Sequence, residues 1–397
     1  MVSRRSFVTG LCATAATGAL AAACGKSSDD QLQKNERILF RGERQAGIVQ
    51  TAAPAGVVAG LNVRVSTKAK LTAVMRDLSS EIELVMSGQP YEERAGGYPA
   101  LDTGILGNDG RATSTSVVVG VGASLFDERF GLADQIPVEL QKMPSFTNDY
   151  LVREDRSHGD LSITVNASTK DAAAHAIRQL FRVTRGRLHP KWMKEGFNDI
   201  LPDFEPGKAP VRNLMGFKDG TANLDASDKK LMNRHVWVQP EDIQPDWAIG
   251  GTYQAVRIIR MMVEFWDRTR LNEQESLIGR HRISGAPIGK TQETDIPSFT
   301  SLDSHIARAN PRTPASEESL MLRRGFNYAS GIDQNEQLDQ GLIFLSYQRS
   351  LNKGFIAVQN RLDGEALEEY IRPLGGGFFF ALPGIGSADY LGEQLLS

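Results

Sequence analysis

Cysteine is nearly absent from this chain of 397 residues, which contains two, Cys12 and Cys24. Both lie within the first 24 residues, so the rest of the chain has neither a disulfide nor a free thiol. It also lacks the cysteine spacing of a zinc site. The remaining chain is long enough to bury one large core or the cores of two fused domains.

An excess of one charge and further long apolar runs are also missing. The chain has 45 lysines and arginines against 48 aspartates and glutamates, and its basic residues are scattered. This argues against a nucleic-acid-binding surface. After the N-terminal segment, no apolar run is long enough to span a bilayer. The sequence contains neither a phosphate-binding Gly-Lys-Ser/Thr loop nor a Gly-x-Ser-x-Gly nucleophile elbow. We therefore expect a globular protein.

The N-terminal segment has the pattern of an export signal. Residues 3–7 read Ser-Arg-Arg-Ser-Phe, a twin-arginine pattern, and residues 8–23 form an alanine-rich apolar stretch. We expect export by the twin-arginine route, to the periplasm or the outer face of the cell membrane. A membrane anchor is the weaker alternative, because the stretch is short and poor in strongly apolar residues.

Cys24 follows three alanines and precedes a polar segment, as at a lipoprotein cleavage site. Ala21 departs from this pattern, since leucine is usual there. Lipid attachment at Cys24, which would anchor the protein to a membrane face, and simple cleavage after Ala23 both remain open. Residues 25–35 are polar and typical of a linker.

The first half of the remaining chain has the element order of a ferredoxin-like fold. Alternating or β-branched runs predict strands, and apolar spacings of three and four predict helices. The predicted elements are a strand at 59–65, a helix at 68–86, strands at 114–122 and 160–165, and a helix at 172–183. Only the last strand of the strand-helix-strand-strand-helix-strand order has no clear pattern.

Part of this order recurs downstream. The predicted elements are a strand at 253–261, a helix at 272–279, a strand at 342–347, and helices at 355–362 and 364–370. A proline- and glycine-rich connection at 205–210 separates the two parts. We therefore predict an α+β protein with a signal and linker at 1–36 and two related halves at 37–207 and 208–397.

Three short segments carry groups that suit one type of chemistry. Asp219 lies in a Gly-Phe-Lys-Asp-Gly-Thr run, His305 lies in a short segment preceded by helix-capping residues, and Arg323 follows 18 residues after His305. A haem that activates peroxide needs an axial ligand on one face, and an acid/base with a cation on the other. Each segment alone has a simpler interpretation, since Asp-Gly is a common turn.

Of the other five histidines, His235 is the only serious competitor as a metal ligand. The rest lie in turns, in a connection or on amphipathic or charged surfaces, and they are His158, His175, His189 and His281.

These segments resemble those of the dye-decolourising (DyP-type) peroxidases, and in particular the exported branch associated with bacterial iron uptake and called deferrochelatase. The resemblance extends from about Gln45 to Pro383 and is most specific in the C-terminal half. The matching runs are at residues 216–221, 265–269, 302–306, 309–312, 321–325, 364–370 and 375–379.

The resemblance implies two fused ferredoxin-like halves, with antiparallel sheets and packed helices, and one haem b per chain held mainly by the second half. It implies that His305 is the axial ligand of the iron. Asp219 would move a proton between the oxygens of hydrogen peroxide, and Arg323 would stabilise charge on the departing oxygen, with Arg324 as the alternative.

The resemblance also implies which residues line the porphyrin edge. These are Gly220, Thr221, Ala222, Asn310 and Arg312. Arg308 or Arg312 would pair with a propionate by charge; the alternative is that both are solvated surface groups.

Two positions depart from the family pattern. Ser350 stands where an aspartate is often the hydrogen-bond partner of the axial histidine, so that partner stays unassigned within residues 347–352. Gly325 stands where some relatives have an asparagine.

The resemblance implies a haem peroxidase that reduces hydrogen peroxide while oxidising a reducing substrate in one-electron steps. In the matched branch, release of iron from haem is a further expectation, with haem as substrate and with an iron-uptake permease and lipoprotein partners. A homo-oligomer is compatible with the sequence, and nucleic acid is not an expected partner. The alternative is a non-catalytic, exported haem- or iron-binding lipoprotein that delivers cargo to a permease.

Overall fold

Strands from both halves of the chain join in one antiparallel sheet. The computed structural model describes residues 37–107, 114–202, 204–205, 207–298 and 303–397. The strands are β1 (Ala55–Val63), β2 (Ser116–Gly122), β3 (Leu161–Ala167), β4 (Leu188–Phe197), β5 (Val211–Arg212), β6 (Lys218–Asp219), β7 (Thr252–Met261), β8 (Leu322–Arg323), β9 (Phe326–Ile332), β10 (Leu338–Gln348) and β11 (Ile371–Ala381).

Helices connect these strands. They are α1 (Ala46–Val49), α2 (Lys68–Ser87), α3 (Lys170–Val183), α4 (Lys229–His235), α5 (Val263–Trp266), α6 (Leu271–Ile278), α7 (His305–Ala309), α8 (Pro314–Glu317), α9 (Ala357–Leu362) and α10 (Glu393–Leu396). A π-helical turn at Asn352–Ile356 leads into α9, and a 3₁₀ turn at Ala366–Glu369 precedes β11.

Each half has the strand order of a ferredoxin-like fold. In the first half the order across the sheet is β2-β3-β1-β4, and in the second it is β11-β7-β10-β9, with β8 also paired to β10. Both orders place the first and third strands of the half at the centre, flanked by the second and the fourth. The prediction of two fused ferredoxin-like halves is therefore confirmed. The predicted boundary between residues 207 and 208 stays a prediction.

The two halves are joined into a closed ring of strands, which the sequence did not predict. β2 pairs with β11 and β4 pairs with β9, while β7 and β10 pair inside the second half. The seam between β4 and β9 is short, with Phe197 opposite Asn327 as its paired position. A closed ring leaves no long open edge between the halves.

The core lies on both faces of these strands. On one face, α2 buries Leu71, Val74, Leu78 and Ile82, which have the spacing that predicted the helix. On the other face, a separate apolar cluster includes Trp192, Phe326, Tyr347 and Phe379 from four strands. Capping explains the helix ends, since Thr67 accepts a bond from the Lys70 amide and Gly88 adopts a left-handed φ of 62°.

β11 escaped prediction because its apolar residues are interrupted by residues that seldom occur inside strands. It contains Pro373 and three consecutive glycines. The glycines are needed because residues 156–158 cross over Gly375 and Gly377, and strand β7 lies against Gly376. A Cβ on Gly375 would lie 2.2 Å from the Arg156 carbonyl oxygen, and Gly376 has φ 122° with its absent Cβ 2.0 Å from the Val256 oxygen. This matched run therefore serves backbone packing between the halves.

No helix in the described ranges combines the length and apolarity needed to cross a bilayer. The export signal, Cys12 and Cys24 lie outside the described residues.

The close packing of Gly376 against β7 gives a test of the fold. Gly376→Ala should lower the free energy of unfolding by about 3 kcal/mol or more, because it combines a left-handed backbone with an overlap against backbone. Gly186→Ala is the control, since Gly186 has φ 76° but nothing within 4 Å of its added Cβ; it should cost about 1 kcal/mol. Equal losses in denaturant unfolding would contradict the close packing of Gly376 against β7.

Candidate active site

His305 is the first residue of α7, a helix of 5 residues. Ser304 occupies the N-cap position, but its side chain makes no capping bond. The helix is instead fixed at both ends by other elements. At its start, Gly279 packs so closely that a Cβ there would lie 2.6 Å from Ser304 Oγ. At its end, Arg361 on α9 donates to the carbonyl oxygens of Arg308 and Ala309, at 3.2 and 3.0 Å. The imidazole therefore projects from a braced turn.

One ring nitrogen of His305 is held by a buried carboxylate. The two oxygens of Glu365 lie 2.8 and 3.1 Å from His305 Nδ1, and the Glu365 side chain is 3% exposed. Burial by itself lowers the pKa of His305, but the charge and hydrogen bond of Glu365 outweigh it, so that the pKa is raised. This arrangement fixes Nδ1 as the protonated nitrogen and leaves Nε2 free to bind a metal.

Glu365 is one of the residues of the site that the sequence analysis missed. It lies in the matched run at 364–370, so the signal was present, but the partner was sought within residues 347–352. In the structure, Ser350 instead donates to Glu139, 2.9 Å from each carboxylate oxygen. The partner of His305 lies outside residues 347–352 because α9 and the following 3₁₀ turn, rather than the end of β10, pass beside α7.

Asp219 lies at the end of β6, where a short pairing with β5 fixes its backbone. The next residue, Gly220, has φ 102°, and a Cβ there would lie 2.8 Å from Pro210 Cδ. The Asp219 side chain is 26% exposed. Its Oδ1 lies 3.4 Å from Arg323, and its Oδ2 lies 3.5 Å from Asn213 Nδ2. Both contacts are long, so the carboxylate keeps capacity to accept a proton.

Arg323 is held through its backbone by a second residue that the sequence analysis did not single out. The Arg323 amide donates to Asn223 Oδ1 at 2.9 Å, and Asn223 Nδ2 donates to the Arg323 oxygen at 2.8 Å. Asn223 is two residues beyond the matched Gly-Phe-Lys-Asp-Gly-Thr run, and that position was its only signal. The clamp leaves the Arg323 guanidinium free to face Asp219.

Arg324 points elsewhere. Its guanidinium donates to the Arg323 and Val49 carbonyl oxygens, at 3.0 and 3.4 Å, and its Nε has no partner among the described residues. Burial lowers the pKa of Arg324 to about 10. The contact with Asp219 is made by Arg323.

The structure brings the three main candidates within electrostatic range of one another. The charges of Asp219 and Arg323 both act on the pKa of His305, the first raising it and the second lowering it. His235, the rival ligand, lies near Arg234, Glu317 and Glu318 instead, and its pKa is lowered mainly by burial.

The other predicted residues divide into two groups. Thr221 lies in the site, since its carbonyl oxygen accepts a hydrogen bond from the Arg323 guanidinium at 3.4 Å, and Ala222 follows with φ 58°. Asn310 serves its own turn, because its Oδ1 accepts from the Arg312 amide and from Ser316 Oγ, both at 3.1 Å.

Arginines near Arg323 give that part of the site a positive charge. Burial lowers the pKa of Arg312, and repulsion from Arg323 lowers it further. Arg280 is buried, and its pKa falls to about 10 because of burial and the charges of Arg312 and Arg323, although Glu293 opposes the shift. Arg308 is engaged with the Asp363 carbonyl oxygen at 2.9 Å. Arg312 therefore suits an anionic group better than Arg308.

These residues fit a haem. Nε2 of His305 is the available metal ligand, and the arginines would pair with propionates.

Comparisons with known proteins agree with this geometry. The chain matches the family models described as Dyp-type peroxidase, N-terminal, over residues 45–198, and Dyp-type peroxidase, C-terminal, over residues 210–386. It is 44% identical to the Deferrochelatase of Escherichia coli O157:H7, over 99% of this chain and 97% of that protein.

Two solved structures are similar over most of this chain. DtpA from Streptomyces lividans, in an X-ray generated oxyferrous complex, is 30% identical with a TM-score of 0.82, covering 91% of this chain and 98% of that one. A DyP-type peroxidase from Cellulomonas bogoriensis is 30% identical with a TM-score of 0.80, covering 91% of this chain and 99% of that one.

The Glu365 contact predicts a specific effect on haem binding. Glu365→Gln should weaken haem affinity about 10–100-fold, because an amide cannot hold the imidazole as a strong, basic ligand. Titration of the haem-free protein with haem, followed by absorbance, measures this. Glu368→Gln is the matched control, since Glu368 lies on the same turn and makes no hydrogen bond to His305. An unchanged affinity in the Glu365 variant would refute the assigned contact.

Proposed function

Because this chain belongs to the Dyp-type peroxidase family, we propose that it reduces hydrogen peroxide with a bound haem b and oxidises a donor in one-electron steps. The observation that carries the proposal is that a metal ligand and an acid/base with a cation lie near one another. His305, held by Glu365, offers one ligand nitrogen, while Asp219 and Arg323 face each other within electrostatic range of it.

Haem, when bound, supplies the iron to which peroxide binds and the capacity to accept its two oxidising equivalents. His305 would hold the iron through Nε2. Glu365 would accept a hydrogen bond from the Nδ1–H group and so increase the basicity of the ligand. Asp219 would take a proton from one oxygen of hydrogen peroxide and deliver it to the other oxygen. That oxygen leaves as water when the O–O bond breaks.

Arg323 would stabilise the negative charge that develops on the leaving oxygen. Its role requires a fixed guanidinium, which the Asn223 clamp on its backbone provides. Two electrons, taken singly from a donor, complete the reduction.

The second activity that we propose is release of iron from haem with the tetrapyrrole left intact. Its support is the similarity to the Deferrochelatase of E. coli, which extends over almost the whole of both chains. In this reaction two protons replace the iron in the ring, and both activities would use the same pocket. Incubation with haem and an electron donor should then yield fluorescent protoporphyrin, and a His305→Ala variant should yield none.

A non-catalytic carrier is the rival. It would need His305 and an apolar slot, but it does not account for Asp219 and Arg323 in mutual contact. A holoprotein whose haem absorbance did not respond to peroxide between acid and neutral pH would favour the carrier.

Two substitutions test the assigned roles. His305→Ala should abolish stoichiometric haem retention. Asp219→Asn should retain haem but slow the peroxide-induced change of the haem absorbance about 10²–10⁴-fold at acid pH, because the amide cannot accept the proton. Stopped-flow absorbance measures the rate.

Asp225→Asn is the control for Asp219, because Asp225 lies six residues later and its carboxylate bonds locally to Ser227. Wild-type kinetics in Asp219→Asn would transfer the main role to Arg323. Full haem retention in His305→Ala would remove the ligand assignment.

We further propose that the chain is exported by the twin-arginine route, reaches the periplasm or the outer face of the cell membrane, and acts with an iron-uptake permease and lipoprotein partners. The twin-arginine pattern and Cys24 support the export and the membrane location. Mass spectrometry of the mature N-terminus should show cleavage before Cys24 with acyl chains on it. An unmodified N-terminus at Cys24 would support simple cleavage, and a retained Met1 would contradict export. Replacement of both Arg4 and Arg5 by lysine should stop export.

A further inference from the structure

Glu293 is a buried carboxylate in the connection that follows α6. Its side chain is 4% exposed. It accepts hydrogen bonds from the Ala209 amide at 2.6 Å, from Lys218 Nζ at 2.7 Å and from Thr221 Oγ1 at 2.8 Å. A carboxylate with so little exposure is stable only when donors surround it, and these three meet that requirement.

Two of the three donors flank Asp219 in sequence, and the third lies beside Pro210. Lys218 and Thr221 stand on either side of Asp219 and Gly220. Ala209 precedes Pro210, the residue that lies against Gly220. One side chain therefore ties both ends of the segment 209–221 together, although it makes no hydrogen bond to Asp219.

Asp219 depends on such external support because its own side-chain contacts are weak. Its two carboxylate contacts, with Arg323 and Asn213, measure 3.4 and 3.5 Å. Bonds of this length do little to fix a side chain. By contrast, the bonds to Glu293 are short and involve a charge, which makes them about twice as strong as neutral ones.

Glu293 also moderates the positive charge of the site. Its backbone oxygen accepts a hydrogen bond from Arg280 Nη1 at 3.0 Å. Its negative charge raises the pKa of Arg280, which burial and the charges of Arg312 and Arg323 lower. The same residue therefore links the Asp219 segment to the arginines.

We propose that Glu293 is the positioning residue for Asp219. It holds residues 209–221 in the one arrangement that aims the acid/base at peroxide, and it does so through Lys218, Thr221 and the Ala209 amide. The inference rests on the proposed peroxidase function for its kinetic consequence, but its structural consequence is independent of haem.

The test is Glu293→Gln, with Glu81→Gln as the matched control. Glu81 is another buried carboxylate, which accepts from Tyr91 at 2.6 Å and from Gln179 at 3.1 Å, in the first half of the chain. Hydrogen exchange of peptides covering residues 207–223, measured with and without haem, is the first readout. Glu293→Gln should speed exchange at the Ala209 amide at least about 10-fold, and Glu81→Gln should not change it.

The second readout separates positioning from general damage. Glu293→Gln should keep haem affinity within about threefold of wild type and lower the rate of the peroxide-induced absorbance change about 10–100-fold, the range of effects seen when supporting residues of a site are lost. A wild-type rate combined with faster exchange would overturn the proposal, as would unchanged exchange. If wild type itself does not react with peroxide, the proposed function fails while the exchange result still stands.

Thr221→Val covers the case in which Glu293→Gln does not fold. It removes one neutral donor to Glu293 and keeps the side-chain shape. Local exchange should rise and the peroxide rate should fall by smaller factors in the same directions. Wild-type values for both would overturn the proposal.

Discussion

The hydrogen bond between His305 and Glu365 is the constraint on which the site depends. A carboxylate that is 3% exposed is costly to bury unless it is paired, so the imidazole and Glu365 hold each other in place. The pair also decides which ring nitrogen is free. Because Nδ1 is engaged, Nε2 is the ring nitrogen left available to a metal, and the braced helix α7 gives that nitrogen one direction. A ligand with a single orientation lets one histidine hold a large planar group.

The opposite side of the site follows a different principle. Arg323 is fixed through its backbone by the Asn223 clamp, whereas Asp219 lies between two residues, Lys218 and Thr221, whose side chains donate to Glu293. The side chains of Asp219 and Arg323 remain partly exposed and loosely bonded to each other. This suits groups that must change partners, since a proton acceptor locked in short bonds would have to break them during the reaction.

The closed ring of strands connects these two sides. Arg323 lies on β8, which pairs with β10, and β10 leads through the π-helical turn into α9, whose Arg361 holds the end of α7. β10 also pairs with β7 at the centre of the second half. His305 and Arg323 are therefore both positioned by elements attached to the same strand, so their separation does not rely on a flexible loop.

The sequence by itself determined the two α+β halves, because hydrophobic periodicity is local, and it marked Asp219, His305 and Arg323 through the motifs around them. It did not predict the ring closure or β11, because strand pairing between distant segments leaves no local pattern and because three glycines read as a turn. It also missed Glu365, Asn223 and Glu293, which are ordinary polar residues in sequence. Only the tertiary structure decided their importance, since a carboxylate acquires its role from the donors that folding places around it once water is excluded.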